Sequence, residues 1–162
     1  MDLILWRHAQ AQMLLADDGT PLPFEFERDL ARSLTPKGQR QAERMAEWLN
    51  LRLPESTRLL ASPALRAQQT VAALGRKVRT VDSLHPLASI DDLLAAARWP
   101  ASRDPVLIVG HQPTLGLLAA RLLTGQDLPW AVRKGAVWWL RSRERDGDEQ
   151  VVLHAVIPAD LA

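Results

Sequence analysis

The chain opens on an apolar run, Leu3-Ile4-Leu5-Trp6, and apolar runs of this kind recur between segments with helical spacing. The first run predicts a short buried strand that delivers Arg7-His8-Ala9 to its C-terminal end. Residues 14–33 read as an irregular excursion, punctuated by Asp18-Gly19, Pro21 and Pro23 and holding both Phe residues. Thr35-Pro36 then pairs an N-cap with a first-turn proline, and Ala42, Met45, Ala46 and Leu49 recur at helical spacing. Arg58 to Ala61 predicts a second strand. Ser62-Pro63 repeats the cap-proline pairing before a helix burying Ala64, Ala67, Val71 and Leu74.

Further on, Val78 to Leu84 predicts a strand, and Asp91 to Trp99 a short helix closed by Pro100. Val106-Leu107-Ile108-Val109 is apolar at four successive positions, as expected of a parallel strand covered on both faces. Gly110-His111-Gln112-Pro113-Thr114 turns it into a helix with Leu115, Leu118, Ala119 and Leu122 on one side. Ala136 to Arg141 and Gln150 to Val156 form a hairpin about Asp146-Gly147-Asp148. Within that hairpin Trp138 and Trp139 point to opposite sides, so at least one packs against the body. Strands alternating with helices predict a three-layer α/β/α sandwich with a mostly parallel central sheet, as one domain over residues 1–162.

Composition narrows the chemistry. Charge nearly balances, 20 Lys and Arg against 19 Asp and Glu, so nothing global favours nucleic acid and any anion site is local. The absence of cysteine excludes disulfides and thiolate metal ligands. No stretch resembles a signal peptide or a bilayer span, and a cytoplasmic protein that avoids membranes is expected.

Three predicted strand-to-helix junctions carry cationic or imidazole side chains: Arg7 and His8 at the first, Arg66 at the second, His111 at the third. In open α/β sheets ligands collect where strand C-termini meet helix N-termini. Two guanidiniums and two imidazoles converging there suit a phosphoryl group, because Arg matches phosphate oxygens bidentately. Backbone amides around Gln10 and Gln112 are expected to assist. The other two histidines, His85 and His154, read as solvated.

Arg7-His8-Ala9, Leu34-Thr35-Pro36-Lys37-Gly38-Gln39, Ser62-Pro63 followed by Arg66-Ala67-Gln68-Gln69-Thr70, and Val109-Gly110-His111 occur in an order that resembles the histidine phosphatase superfamily. The short chain and the Gly110-His111-Gln112-Pro113 motif resemble its SixA branch, the small phosphohistidine phosphatases. The resemblance implies a phosphoglycerate mutase-like fold. It also implies His8 as a nucleophile that becomes phosphorylated, with Arg7, Arg66 and His111 holding the phosphoryl oxygens. Neither a metal nor another cofactor is expected. The implied partner is a phosphorylated protein, such as a histidine-phosphotransfer domain, met by a monomer. A small phosphate ester as substrate, or a phosphate-binding module without catalysis, are the alternatives.

Two departures stand out. Ala9 replaces the usual glycine, which would strain a backbone of positive φ. No carboxylate clearly fills the place of a general acid: His85-Pro86 stands near it, although Asp17, Asp18, Glu25 or Asp91 could fold over the site. Expelling an alkoxide needs such an acid, worth roughly 10²–10⁴-fold, whereas a protonated imidazole leaves readily. The gap therefore favours phosphohistidine over a phosphate ester. Phe24 and Phe26 either pin the excursion to the core or form a rim that touches a protein substrate.

Overall fold

The computed structural model describes all residues, Met1–Ala162. Strands β1 (Asp2–Arg7), β2 (Arg58–Ala61), β3 (Arg79–Thr80), β4 (Val106–Gly110), β5 (Val137–Arg145) and β6 (Asp148–Ile157) form one sheet in the order β3-β2-β4-β1-β5-β6. The first four are mutually parallel, and β5 and β6 join antiparallel beyond β1. The helices are α1 (Phe26–Leu30), α2 (Pro36–Asn50), α3 (Leu65–Ala72), α4 (Ile90–Ala97) and α5 (Thr114–Thr124).

Alternation along the strands divides the core into two apolar clusters, one on each face of the sheet. Leu3, Leu5, Val106 and Ile108 pack with Leu93, Leu115 and Leu118 of α4 and α5. Ile4, Trp6, Leu107 and Val109 pack with Met45, Leu49, Ala67 and Val71 of α2 and α3. This is the expected three-layer sandwich. Both adjacent tryptophans of β5 contribute: Trp139 is buried beside Trp48, while Trp138 lies 5.9 Å from Trp130 on the other face.

Several boundaries depart from the sequence reading. Only Arg79 and Thr80 of the 78–84 segment pair as a strand, because β3 is an exposed edge and Asp82–Leu84 turns inward to bury Leu84. Helix α3 begins at Leu65, later than Ser62-Pro63 predicts, since the Ser62 hydroxyl instead accepts from the Ala64 amide. The excursion at 14–33 contains α1. Helix α4 starts at a capping box formed by Ser89 and Asp92. The hairpin is longer than predicted but turns where expected, at Asp146 and Gly147.

Register positions the site. Arg7 pairs with Gly110 and Ala61 with Val109, so β1, β4 and β2 end side by side. His8, His111 and Ser62 are the residues that leave those three ends.

Candidate active site

The segment after β1 is held by hydrogen bonds from the motif residues. Thr70 Oγ1 accepts from the Ala9 amide at 3.0 Å and donates to the Arg66 carbonyl, tying α3 to the strand end. Gln69 accepts from the Leu34 amide, and Gln68 donates to the Ser62 carbonyl. On the other side, the Thr35 amide donates to the Gln10 carbonyl, and the same carbonyl lies so close to Gly38 that a Cβ there would clash with it. Thr35 caps α2 through the Gly38 amide.

Ala9 carries no strain, because its φ is not among the positive ones. Its methyl is fully buried with Leu34 and Ala42. The expected cost of replacing glycine therefore does not arise.

Arg7, His8, Arg66 and His111 come together around one pocket of about 400 Å³, together with Asp29, Arg32, Lys134 and the loop residues Pro86 and Leu87. His8 donates from Nδ1 to its neighbour's carbonyl, Ala9 O, at 2.8 Å. Its Nε2 accepts from Arg66 Nε at 3.4 Å, which leaves the lone pair of Nε2 on the side of the cations. His111 Nε2 donates to Ser62 Oγ at 2.7 Å, and its Nδ1 accepts from Arg66 Nη2 at 3.4 Å. The two imidazole centroids are 5.1 Å apart.

Both imidazoles are neutral at physiological pH. Burial, reinforced by Arg66, Arg7 and Arg32, pushes His8 down to about 3 against the opposing bond to Ala9. Burial, His8, Arg66, Arg7 and His85 push His111 down to about 2. Desolvation also lowers Arg7 and Arg66, but both remain guanidinium cations. Arg7 donates to Val132 O at 2.8 Å, and its Nε is buried without a protein partner.

Asp29 is the functional residue that sequence reasoning passes over. Arg66 Nη1 donates to its carbonyl at 2.6 Å and Nη2 to its carboxylate at 2.9 Å, fixing the guanidinium plane beside His8. Its second oxygen accepts from Arg32 at 3.0 Å. In sequence it is one acid among several in the excursion, and only the Arg-rich surroundings Arg28 and Arg32 hinted at an ion-pair network. The other acids near the site in sequence lie elsewhere. Glu25 pairs with Arg28, Asp91 with Arg121, Asp18 caps its own turn at Thr20, and none of these nor Asp17 lines the pocket.

The two glutamines stand differently. No helix starts at Gln10: its amide donates to Gln41 and its side chain accepts from Thr35, so it braces α2 and lies outside the pocket lining. Gln112 does line the pocket, but its side chain is engaged by Trp130 O and the Gly116 amide. Phe24 is 63% exposed at the pocket mouth, whereas Phe26 sets its ring against His85 at 5.7 Å. One Phe forms rim and the other pins the loop. His154, exposed, rests against Trp139.

Two neutral imidazoles bridged by the buried Arg66 guanidinium, at the ends of parallel strands, suit the binding of a phosphoryl group. Residues 3–93 match the model of the histidine phosphatase superfamily (branch 1), and the chain belongs to that family. The match extends to its SixA branch. Phosphohistidine phosphatase SixA of Escherichia coli K12 is 30% identical over 137 residues, covering 80% of this chain and 78% of that protein. A structure assigned to SixA from Nakamurella multipartitia superposes with a TM-score of 0.73 at 29% identity, over 97% of this chain and 95% of that one. The protein histidine phosphatase SixA complexed with tungstate gives 0.73 at 25% identity, over 99% and 98%. No helix of the chain is long and apolar enough to cross a membrane.

Proposed function

We propose that this phosphatase removes the phosphoryl group from phosphohistidine on a protein, through a covalent intermediate on His8. The observation that carries the reading is the protonation pattern of His8. Its Nδ1 proton is committed to Ala9 O, so Nε2 keeps an unprotonated lone pair beside Arg66. Nε2 attacks phosphorus in line while the P–N bond to the substrate imidazole breaks, and that imidazole leaves with its electron pair and proton. Water then attacks phosphorus, the bond to His8 Nε2 breaks, and inorganic phosphate departs. Arg7 and Arg66 hold the equatorial oxygens and stabilise the charge spread over them, while His111, whose one proton is donated to Ser62, steadies Arg66. The substrate class follows from the acid. The one carboxylate lining the pocket, Asp29, has both oxygens held by guanidiniums, which leaves it poorly placed to protonate an alkoxide.

A side-by-side assay of a phosphohistidine protein, a sugar phosphate and an aryl phosphate tests this. The phosphohistidine protein is expected to turn over fastest, and quenching into alkaline detergent should trap phosphate on His8. His8→Ala should abolish turnover and retain the fold by circular dichroism. Faster turnover of the sugar phosphate defeats the substrate assignment, and near-normal activity in His8→Ala defeats the nucleophile.

A further inference from the structure

Beside the catalytic pocket lies a second groove of about 420 Å³, between the N-terminal half of α2 and the turn at residues 133–135. Its lining carries five cations, Lys37, Arg40, Arg44, Arg133 and Lys134, against one carboxylate, Asp160. Lys134 borders both spaces. The groove is also joined to the nucleophile through the backbone: the Gly135 amide donates to the carbonyls of Arg7 and His8, and Gln41 accepts from the Gln10 amide.

These cations are not balanced by the protein itself. Only Arg133 forms an ion pair, with Asp160 at 3.6 Å, and both partners are mostly exposed. Lys37, Arg40, Arg44 and Lys134 have none. Helix α2 makes the imbalance sharper. Its first turn contains no acid and instead places Lys37 at the positive end of the helix dipole, where a cation is disfavoured. In a chain whose net charge is +1, so local an excess is a feature of this face.

We propose that this groove docks the acidic surface that surrounds the phosphorylated residue of a protein substrate. The inference rests on the protein-substrate reading above and specifies what that substrate presents. A pocket of about 400 Å³ takes up a phosphorylated side chain, while the remainder of a protein must lie across its mouth. On the α2 side it meets the stripe Lys37, Arg40 and Arg44. Carboxylates placed there relieve both the mutual repulsion of the stripe and its conflict with the dipole, so charge complementarity steers the complex and sets its orientation.

The test is the double charge reversal K37E/R40E, with K37Q/R40Q as a neutral intermediate. Each is assayed on an acidic histidine-phosphotransfer domain carrying phosphohistidine and on phosphoimidazole. On the phosphoprotein, KM should rise about tenfold in the reversal and less in the neutral pair, with kcat retained. Phosphoimidazole turnover should stay within about twofold, and added salt should carry wild-type KM toward that of the variants. Thermal stability should hold or rise, which separates docking from misfolding. An unchanged phosphoprotein KM, or a parallel fall on phosphoimidazole, overturns the docking surface alone. Wild-type protein that cleaves phosphoimidazole but not the phosphoprotein overturns the substrate reading, and the docking surface with it.

Discussion

Asp29→Asn isolates the residue that orients Arg66. The carboxylate meets Arg66 at 2.9 Å and Arg32 at 3.0 Å, and the Asp29 and Arg66 side chains are only 12% and 4% exposed. At such separations each pair is worth about 5–6 kcal/mol at an effective dielectric of about 20, before desolvation is subtracted. Removing one partner of a buried pair typically costs about 3–5 kcal/mol, because the other charge is left uncompensated. Asparagine keeps one neutral hydrogen bond, worth about 1 kcal/mol, and the Arg32 pair, with Arg32 23% exposed, is partly screened by solvent. The expected loss is therefore about 2–4 kcal/mol, which for a protein of this size lowers Tm by about 4–16 °C. Tungstate should restore more stability to the variant than to the wild type, since an oxyanion then takes the place of the carboxylate on Arg66. Turnover should fall about tenfold as the guanidinium loses its fixed plane beside His8. Differential scanning fluorimetry with and without tungstate provides the readout. A Tm within about 1 °C of wild type, or equal stabilisation of both proteins by tungstate, would refute the positioning role.

Acid should destabilise the protein earlier than its carboxylates alone would. His8 and His111 have folded pKa values near 3 and 2, below the ordinary value of 6.5, so the unfolded chain binds more protons between these limits. Stability is full above the unfolded value and falls as pH drops through it, by roughly 3 kcal/mol for the pair between about pH 6.5 and 5. Urea unfolding at several pH values should show this slope, and His111→Asn should flatten it; an equal slope in the variant contradicts the account. Gly38→Ala should cost about 3 kcal/mol or more and depress activity, because the new methyl meets the Gln10 carbonyl. Wild-type stability in equilibrium unfolding would disprove that contact. Ala9→Gly should destabilise by about 1 kcal/mol through lost packing and added chain entropy, with kcat preserved; a gain in stability would mean the backbone favours glycine after all.

Strong local signals made the site legible wherever one segment carries them. Val106–Val109 reads as a buried strand from composition alone, Thr35-Pro36 marks the start of α2, and Arg66 follows from its distance to Ser62-Pro63. The strand ends then fall side by side because parallel sheets assemble that way. Asp29 was hidden for the opposite reason. It sits in a five-residue helix, too short to be stable by propensity, whose formation depends on contacts with Arg66 and the core. Gln10 was misplaced because a strand end was assumed to feed a helix directly, whereas the chain first crosses to α2. The length of β3 was overestimated since its exposed residues carry β-branched and apolar neighbours without being paired.

Strand β1 lies in the interior of the sheet, with β4 and β2 on one side and β5 and β6 on the other. Its amides can exchange with solvent only when neighbouring ladders part, so the backbone that bears Arg7 and His8 belongs to the slowest-exchanging part of the molecule. The excursion carrying Asp29 and Phe24 has only isolated bridges, Ala11 with Leu34 and Leu15 with Pro21, and should exchange sooner. Hydrogen exchange would therefore divide this active site in two: a nucleophile that persists as long as the sheet does, and a wall that breathes around it.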